Sequence, residues 1–216
     1  MHSKFALVSD FDGTISDNDF FYHIAEQYFD QKMLEPWQEY LSGQKKHFDA
    51  LNEMFGNLRI SESELHDFIL GINIDKTFYD LADFCKQKNI PIYICSAGCD
   101  YYIKILLKDV IKKYNIKIVS NSGEYSPEHG LKMLPNKQFF DENLGISKVN
   151  LIKYLKENNY YVVFCGDGPP DIEPAILADK VFARKTLYQQ CRHKAIEAEF
   201  LQNFNIVKNF FEEEIK

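Results

Sequence analysis

Two carboxylates stand two residues apart, Asp10 and Asp12, directly after the apolar run Phe5-Ala6-Leu7-Val8 and directly before Gly13 and Thr14. Acids crowded at the end of an apolar run lose water and repel one another, which costs free energy unless a cation answers them. A bound divalent ion and a phosphoryl group would answer that cost. The plain structural alternative is a turn leading into a helix N-cap, which Asp and Thr also favour. A second acidic pair, Asp167 and Asp171, flanks Gly168, Pro169 and Pro170 after the apolar run 160–165. Hard oxygen donors on a glycine-rich turn suit magnesium, which takes a few carboxylates together with water and phosphate oxygens. Ser96, Ala97 and Gly98 end another apolar run and offer a hydroxyl and free N–H groups to an anion. An N-capping serine accounts for Ser96 equally well. Lys148 follows an irregular stretch and has the length to touch phosphate oxygens, although a single lysine is usually a solvated charge.

These groups need strands to place them. Short, nearly continuous apolar runs occur at 5–8, 90–95, 116–119, 160–165 and 180–183. Such runs suit parallel strands buried on both faces. Helical spacing connects them: Phe78, Leu81, Ala82 and Cys85; Tyr102 through Ile111; Leu151, Ile152 and Leu155. The alternation predicts an α/β fold, a doubly wound and mainly parallel sheet. Ligands of such sheets bind beyond the carboxyl ends of the strands, where the acids, Ser96 and the glycine turns lie. The pattern breaks at residues 19–71, which hold helical repeats and no strand, punctuated by Pro36, Gly43 and Gly56. Ser61 and Glu64 read as a capping box opening the last of these helices. The expectation is a small helical-bundle cap at 19–71, inserted after the first strand of a core formed by 1–18 and 72–216. Residues 120–140, with Gly123, Pro127, Gly130 and Pro135, read as a hairpin or irregular loop.

The pentad from Asp10 to Thr14, Ser96, Lys148 and the Asp167–Asp171 turn, in this order, resemble the motifs of the haloacid dehalogenase superfamily of phosphatases over essentially the whole chain. The resemblance implies a Rossmann-like core. It implies Asp10 as the nucleophile that forms an aspartyl-phosphate, and Asp12 as the acid and then the base. Gly13, Thr14, Ser96, Ala97 and Gly98 would hold the phosphoryl group, and Lys148 would neutralise it. Mg2+ would be bound by Asp10, the backbone carbonyl of Asp12, and Asp167. Asp171 would complete the acidic end through water or by orienting Lys148. The residue types make independent sense: nucleophile and proton carrier are separate tasks, and a transferring dianion needs cations and N–H donors. Dehalogenases lack the second acid of the pentad.

The insert places the chain with the capped subgroup that includes phosphoserine phosphatases. The runs at 54–56, 179–184 and 187–191 are similar to those of the methionine-salvage phosphatases, which act on a methylthio-ketopentenyl enol phosphate. In that family the loop before the motif lysine is often cysteine-rich, and residues 120–147 here contain no cysteine. Phosphoserine and phosphocholine- or phosphoethanolamine-type esters therefore stay open as substrates. In the cap, Asp17 and Asp19 could face an ammonium group and Arg59 a carboxylate, though each is more often a solvated charge. The aromatic residues of the insert, including Phe21, Tyr22 and Trp37, read chiefly as bundle core, and a small part of them could line an apolar pocket for a thioether or similar group.

Composition bounds the rest. The 216 residues carry a net charge of −7 and are 45% hydrophobic, ordinary for a globular chain. The acidity argues against nucleic acid as a partner, and no apolar run reaches the length of a membrane span. No cleavable apolar leader is visible in the first twelve residues. Cys85, Cys95, Cys99, Cys165 and Cys191 are odd in number and never in a C-x-x-C pair; Cys95 and Cys99, four apart, could be a metal spacing, but no histidine pair follows, and reduced thiols in the cytoplasm fit better. A small phosphorylated metabolite is the expected partner, of a monomer or homodimer. Phosphoryl-storing receiver domains are the non-enzymatic alternative; they are shorter, and lack both the cap and the second acid of the pentad.

Overall fold

The computed structural model describes residues 4–215; residues 1–3 and 216, at the outer ends of the predicted core, lie outside the described residues. The expected strands form at β1 (Phe5–Ser9), β2 (Ile92–Cys99), β3 (Lys117–Ser126), β5 (Tyr161–Gly166) and β6 (Lys180–Ala183). Two more, β4 (Gly130–Leu134) and β7 (Glu199–Phe200), complete one sheet of order β4-β3-β2-β1-β5-β6-β7. Every pairing is parallel except β3 with β4, so the doubly wound, mainly parallel α/β expectation is borne out.

The central strand shows why the runs are apolar throughout. On β1, Phe5 and Leu7 enter one hydrophobic cluster while Ala6 and Val8 enter the cluster on the other face. β1 lies between β2 and β5, and chain direction across the sheet reverses there. Such a switch point opens a crevice at the strand's carboxyl end, and Asp10 is the next residue.

Between β1 and β2 come α1 (Phe20–Tyr28), α2 (Glu35–Leu41), α3 (His47–Gly56) and α4 (Glu62–Leu70), followed by α5 (Thr77–Gln87). The chain enters and leaves the first four through a narrow neck, where Ser16 bridges Ile74 and the Asp17 N–H meets the Asn73 carbonyl at 3.1 Å. Ser61 caps α4 by accepting from the Glu64 N–H, as its sequence indicates. The helix α2 was masked by Pro36, which sits in its first turn, where the missing N–H costs nothing.

The irregular stretch is an antiparallel hairpin of β3 and β4. It abuts the insert. The Asn52 side chain accepts from the Met133 N–H at 2.7 Å, and the Tyr125 hydroxyl donates to the Ile60 carbonyl at 2.6 Å. Gly130 (φ 71°) lies so close to α3 that a Cβ there would stand 2.5 Å from the Phe55 carbonyl oxygen. The remaining helices are α6 (Asp100–Leu106), α7 (Lys108–Tyr114), α8 (Lys148–Glu157), α9 (Ile172–Leu177), α10 (Lys185–His193) and α11 (Phe204–Glu214). The single helix expected over 102–111 breaks at Leu107.

Candidate active site

The carboxyl ends of β1, β2 and β5 deliver the sequence-predicted residues to one place. Asp10 is buried, and its Oδ1 lies 2.7 Å from Lys148 Nζ. Lys148 opens α8, whose N-cap Ser147 accepts from the Asn150 N–H. The same ammonium meets Asp171 Oδ1 at 2.5 Å. Burial alone would strip Lys148 of its proton, but the two carboxylates reverse that and hold it charged. Burial and the Asp171 charge push the Asp10 carboxyl well above its usual range, with Lys148 pulling the other way. Asp10 is thus a carboxylate that needs a further cation to stay fully ionised.

The donor set fits a hard divalent ion. Asp10, Asp167 and Asp171 each bring a carboxylate oxygen to within 4.8 Å of the others, with no histidine or cysteine among them. Both oxygens of Asp171 are engaged, however. Oδ1 takes Lys148, and Oδ2 accepts from the Asp167 and Gly168 N–H groups at 3.0 and 3.2 Å. Asp171 thus pairs with Lys148 and fixes the turn, an arrangement that suits its expected orienting role. Gly166 permits this, since a Cβ there would stand 2.7 Å from the Asp171 carboxyl.

The Asp12 carboxylate turns away from this group. Oδ1 accepts from the Phe20 N–H at 3.0 Å; Oδ2 accepts from Ser96 Oγ at 2.9 Å and the Tyr102 hydroxyl at 2.7 Å. Both oxygens of the Asp12 side chain are thus engaged by neutral donors. Burial lifts the Asp12 carboxyl above its usual range against those three hydrogen bonds, which suits a group that must carry a proton. Gly13 (φ 72°) makes the turn beside it, and Thr14 Oγ1 approaches Asp167 Oδ1 at 3.4 Å. Ser96 lies within β2 rather than past its end, at a register shift in the pairing with β3 that spans Ser96 and Cys99. The bulge turns Ser96, Ala97 and Gly98 toward the acids. Gly98 is forced: a Cβ there would fall 1.7 Å from the Tyr102 hydroxyl.

A cavity of about 240 Å3 opens above these groups, between the sheet and the insert. Asp19 lines it, and its carboxyl is pushed up to about 7 by burial and by the Asp12 and Asp167 charges. Asp17 and Arg59 do not reach it. Asp17 is exposed and pairs with His23 and Asn73; Arg59 bends back onto the Gly56 and Leu58 carbonyls. The pairing of Asp17 at the neck and the self-capping of Arg59 satisfy each charge elsewhere.

Three residues escaped the sequence reading. Tyr102 looked like one more apolar position of an amphipathic helix, and only its stacking on Phe20 (ring centroids 4.2 Å apart) aims its hydroxyl at Asp12. Lys185 lies 3.2 Å from Asp167 Oδ2 and is backed by no motif. His47, from the insert, lines the cavity with Phe21, Tyr22 and Trp37.

No protein-family profile matches the chain. It is 28% identical over 207 residues to a 2-hydroxy-3-keto-5-methylthiopentenyl-1-phosphate phosphatase of Bacillus cereus (strain G9842), covering 93% of this chain and 92% of that protein. A protein of the same description from Bacillus velezensis is 29% identical over 210 residues, covering 95% and 89%. Among solved structures, a substrate-bound phosphoserine phosphatase superposes with a TM-score of 0.70 at 16% identity, over 97% of this chain and 99% of that one. The expected resemblance to capped phosphoserine phosphatases and to methionine-salvage phosphatases is borne out.

Proposed function

We propose that this chain is a magnesium-dependent phosphatase of small-molecule phosphomonoesters, working through an aspartyl-phosphate on Asp10. The observation that carries it is the division of labour between two acids two residues apart: Asp10 is held by Lys148, and Asp12 is held by neutral donors. In the first half, an Asp10 oxygen bonds to phosphorus while the bond from phosphorus to the leaving oxygen breaks, and Asp12 gives its proton to that oxygen. In the second half, Asp12 takes a proton from water as the water oxygen bonds to phosphorus. The bond from Asp10 to phosphorus breaks, and inorganic phosphate leaves. Lys148, oriented by Asp171, offsets charge throughout. Magnesium, held by Asp10, Asp167 and the Asp12 carbonyl, would supply the remaining positive charge. Ser96, Thr14 and the N–H groups around Gly13, Ala97 and Gly98 would hold the phosphoryl oxygens.

The enol phosphate named for the relatives is the substrate we favour. Among the described residues lining the cavity, Lys148 is the one lysine or arginine, and it is bound to two acids. A carboxylate on the substrate, as in phosphoserine, would find no basic partner from the insert. The aromatic wall fits an uncharged body with a thioether tail. Residues 19–71 are read as the cap and 1–18 with 72–216 as the core. Five free, buried cysteines support a cytoplasmic setting.

The test is a magnesium-dependent assay with an aryl phosphate and a panel of phosphorylated metabolites. Turnover should vanish on chelation, return with magnesium and fail with calcium, whose looser coordination misplaces the nucleophile. Full activity after exhaustive chelation would reject the metal site, and no turnover of any ester would reject the phosphatase.

A further inference from the structure

His47 opens α3, and its ring packs edge-on to Trp37 and Tyr40, at centroid distances of 5.7 and 5.1 Å. Histidines placed so are usually core residues whose ring nitrogens are satisfied. This one is not: the residue is 8% exposed, and its Nδ1 is buried with no hydrogen-bond partner. Its backbone is satisfied, the N–H donating to the Asn143 side chain at 3.0 Å, so the ring is held in place by groups other than its own nitrogens. The ring lines the same cavity as Asp10, Asp12 and Lys148. A buried polar atom without a partner is costly, and such atoms call for an explanation. Nδ1 is therefore a ring nitrogen with an open valence, one that whatever fills the cavity can meet. Burial, with the nearby Lys148 charge, holds the imidazole at about 4, and the ring stays uncharged at neutral pH.

We propose that His47 is a specificity residue which hydrogen-bonds an oxygen carried by the substrate's leaving group. Its ligand class is thus an uncharged oxo- or hydroxy-alkyl phosphate whose apolar remainder lies on the Trp37 and Phe21 side. This rests on the phosphatase function above and adds to it a group that discriminates among esters. A neutral imidazole favours a dipolar carbonyl or hydroxyl; a protonated one would favour a carboxylate.

Three probes separate the possibilities: pentyl phosphate, 2-oxopentyl phosphate and 3-oxopentyl phosphate. The wild-type protein should prefer one oxo ester over pentyl phosphate. His47→Phe keeps an aromatic ring and removes both nitrogens. It should lower kcat/KM for the preferred oxo ester by roughly tenfold to a hundredfold, as expected for one lost hydrogen bond, and leave pentyl phosphate within about threefold, an allowance for altered packing. His47→Gln, whose amide can donate, should recover part of the loss. A role confined to packing predicts equal losses on all three esters and no recovery with Gln, and that result overturns the proposal. His47→Leu is the same test if the phenyl ring unfolds the insert, judged by the melting curve. If the wild-type protein hydrolyses all three esters at equal kcat/KM, the proposal falls while the phosphatase stands. If it hydrolyses none of the three but turns over an aryl phosphate with magnesium, the proposal falls and the phosphatase stands; if it turns over no ester at all, both fall.

Discussion

The two walls of the cavity follow opposite rules. The floor, made by the sheet, is crowded with buried charge, much of it answered within the protein: Lys148 by Asp10 and Asp171, and Asp12 by Ser96, Tyr102 and the Phe20 N–H. The roof, made by the insert, is aromatic and holds a buried nitrogen with no partner. A surface whose bonds are internally closed has little left with which to distinguish one ester from another, and suits chemistry common to all of them. A surface with open valences can select. The expected consequence is that damage to the floor is substrate-blind and damage to the roof is not.

The largest effect should come from Asp10→Asn, which removes the nucleophile. kcat should drop by about 10⁴ or more, on every ester alike. Loss confined to some esters would break the contrast between floor and roof. Next comes Asp12→Asn, with a drop of about 10² to 10⁴. Esters with good leaving groups should form the phosphoenzyme almost normally and then stall, so rapid-quench labelling should trap phosphate on Asp10. Unchanged turnover of alkyl phosphates would remove Asp12 from its role.

On the roof, Trp37→Ala should lower kcat/KM about tenfold for esters with a long apolar tail and leave methyl phosphate untouched, since lost apolar contact is worth about one to three kcal/mol. Uniform loss would show that Trp37 props up the fold instead. The smallest effect is on stability. The His47 ring holds a proton only below about 4 when folded, against about 6.5 when unfolded. Between those values the unfolded chain binds more protons, so stability falls as pH drops from about 6.5 toward about 4. His47→Gln should flatten that slope, visible as a smaller loss of Tm between pH 7 and pH 5 than the parent shows.

The floor was readable in the sequence because it violates the ordinary rule for strand ends. Pairs such as Asp10 and Asp12 beside apolar runs have few structural excuses. The parallel sheet was readable for a related reason, since strands buried on both faces have no polar alternation to confuse them. The roof was not readable. Trp37, Tyr40 and His47 have the spacing and composition of any small bundle core, and nothing in a one-dimensional pattern tells an inward face from a cavity wall. Tyr102 needed the stacking on Phe20, and Lys185 needed β6 to bring it beside Asp167. Asp17 and Arg59 misled because a charge in a sequence carries no direction.

The contact of the β3–β4 hairpin with α3 bears on how the chain reaches this shape. The hydrogen bond from Met133 to Asn52 joins residues 81 apart in sequence, and that from Tyr125 to Ile60 joins residues 65 apart. Gly130 admits no side chain between the two surfaces. Links of such long range close large loops, and their entropy must be met before they contribute. Part of the support of the insert therefore depends on the distant hairpin. Although the insert looks like a module spliced between two strands, it is tied to the sheet by these contacts.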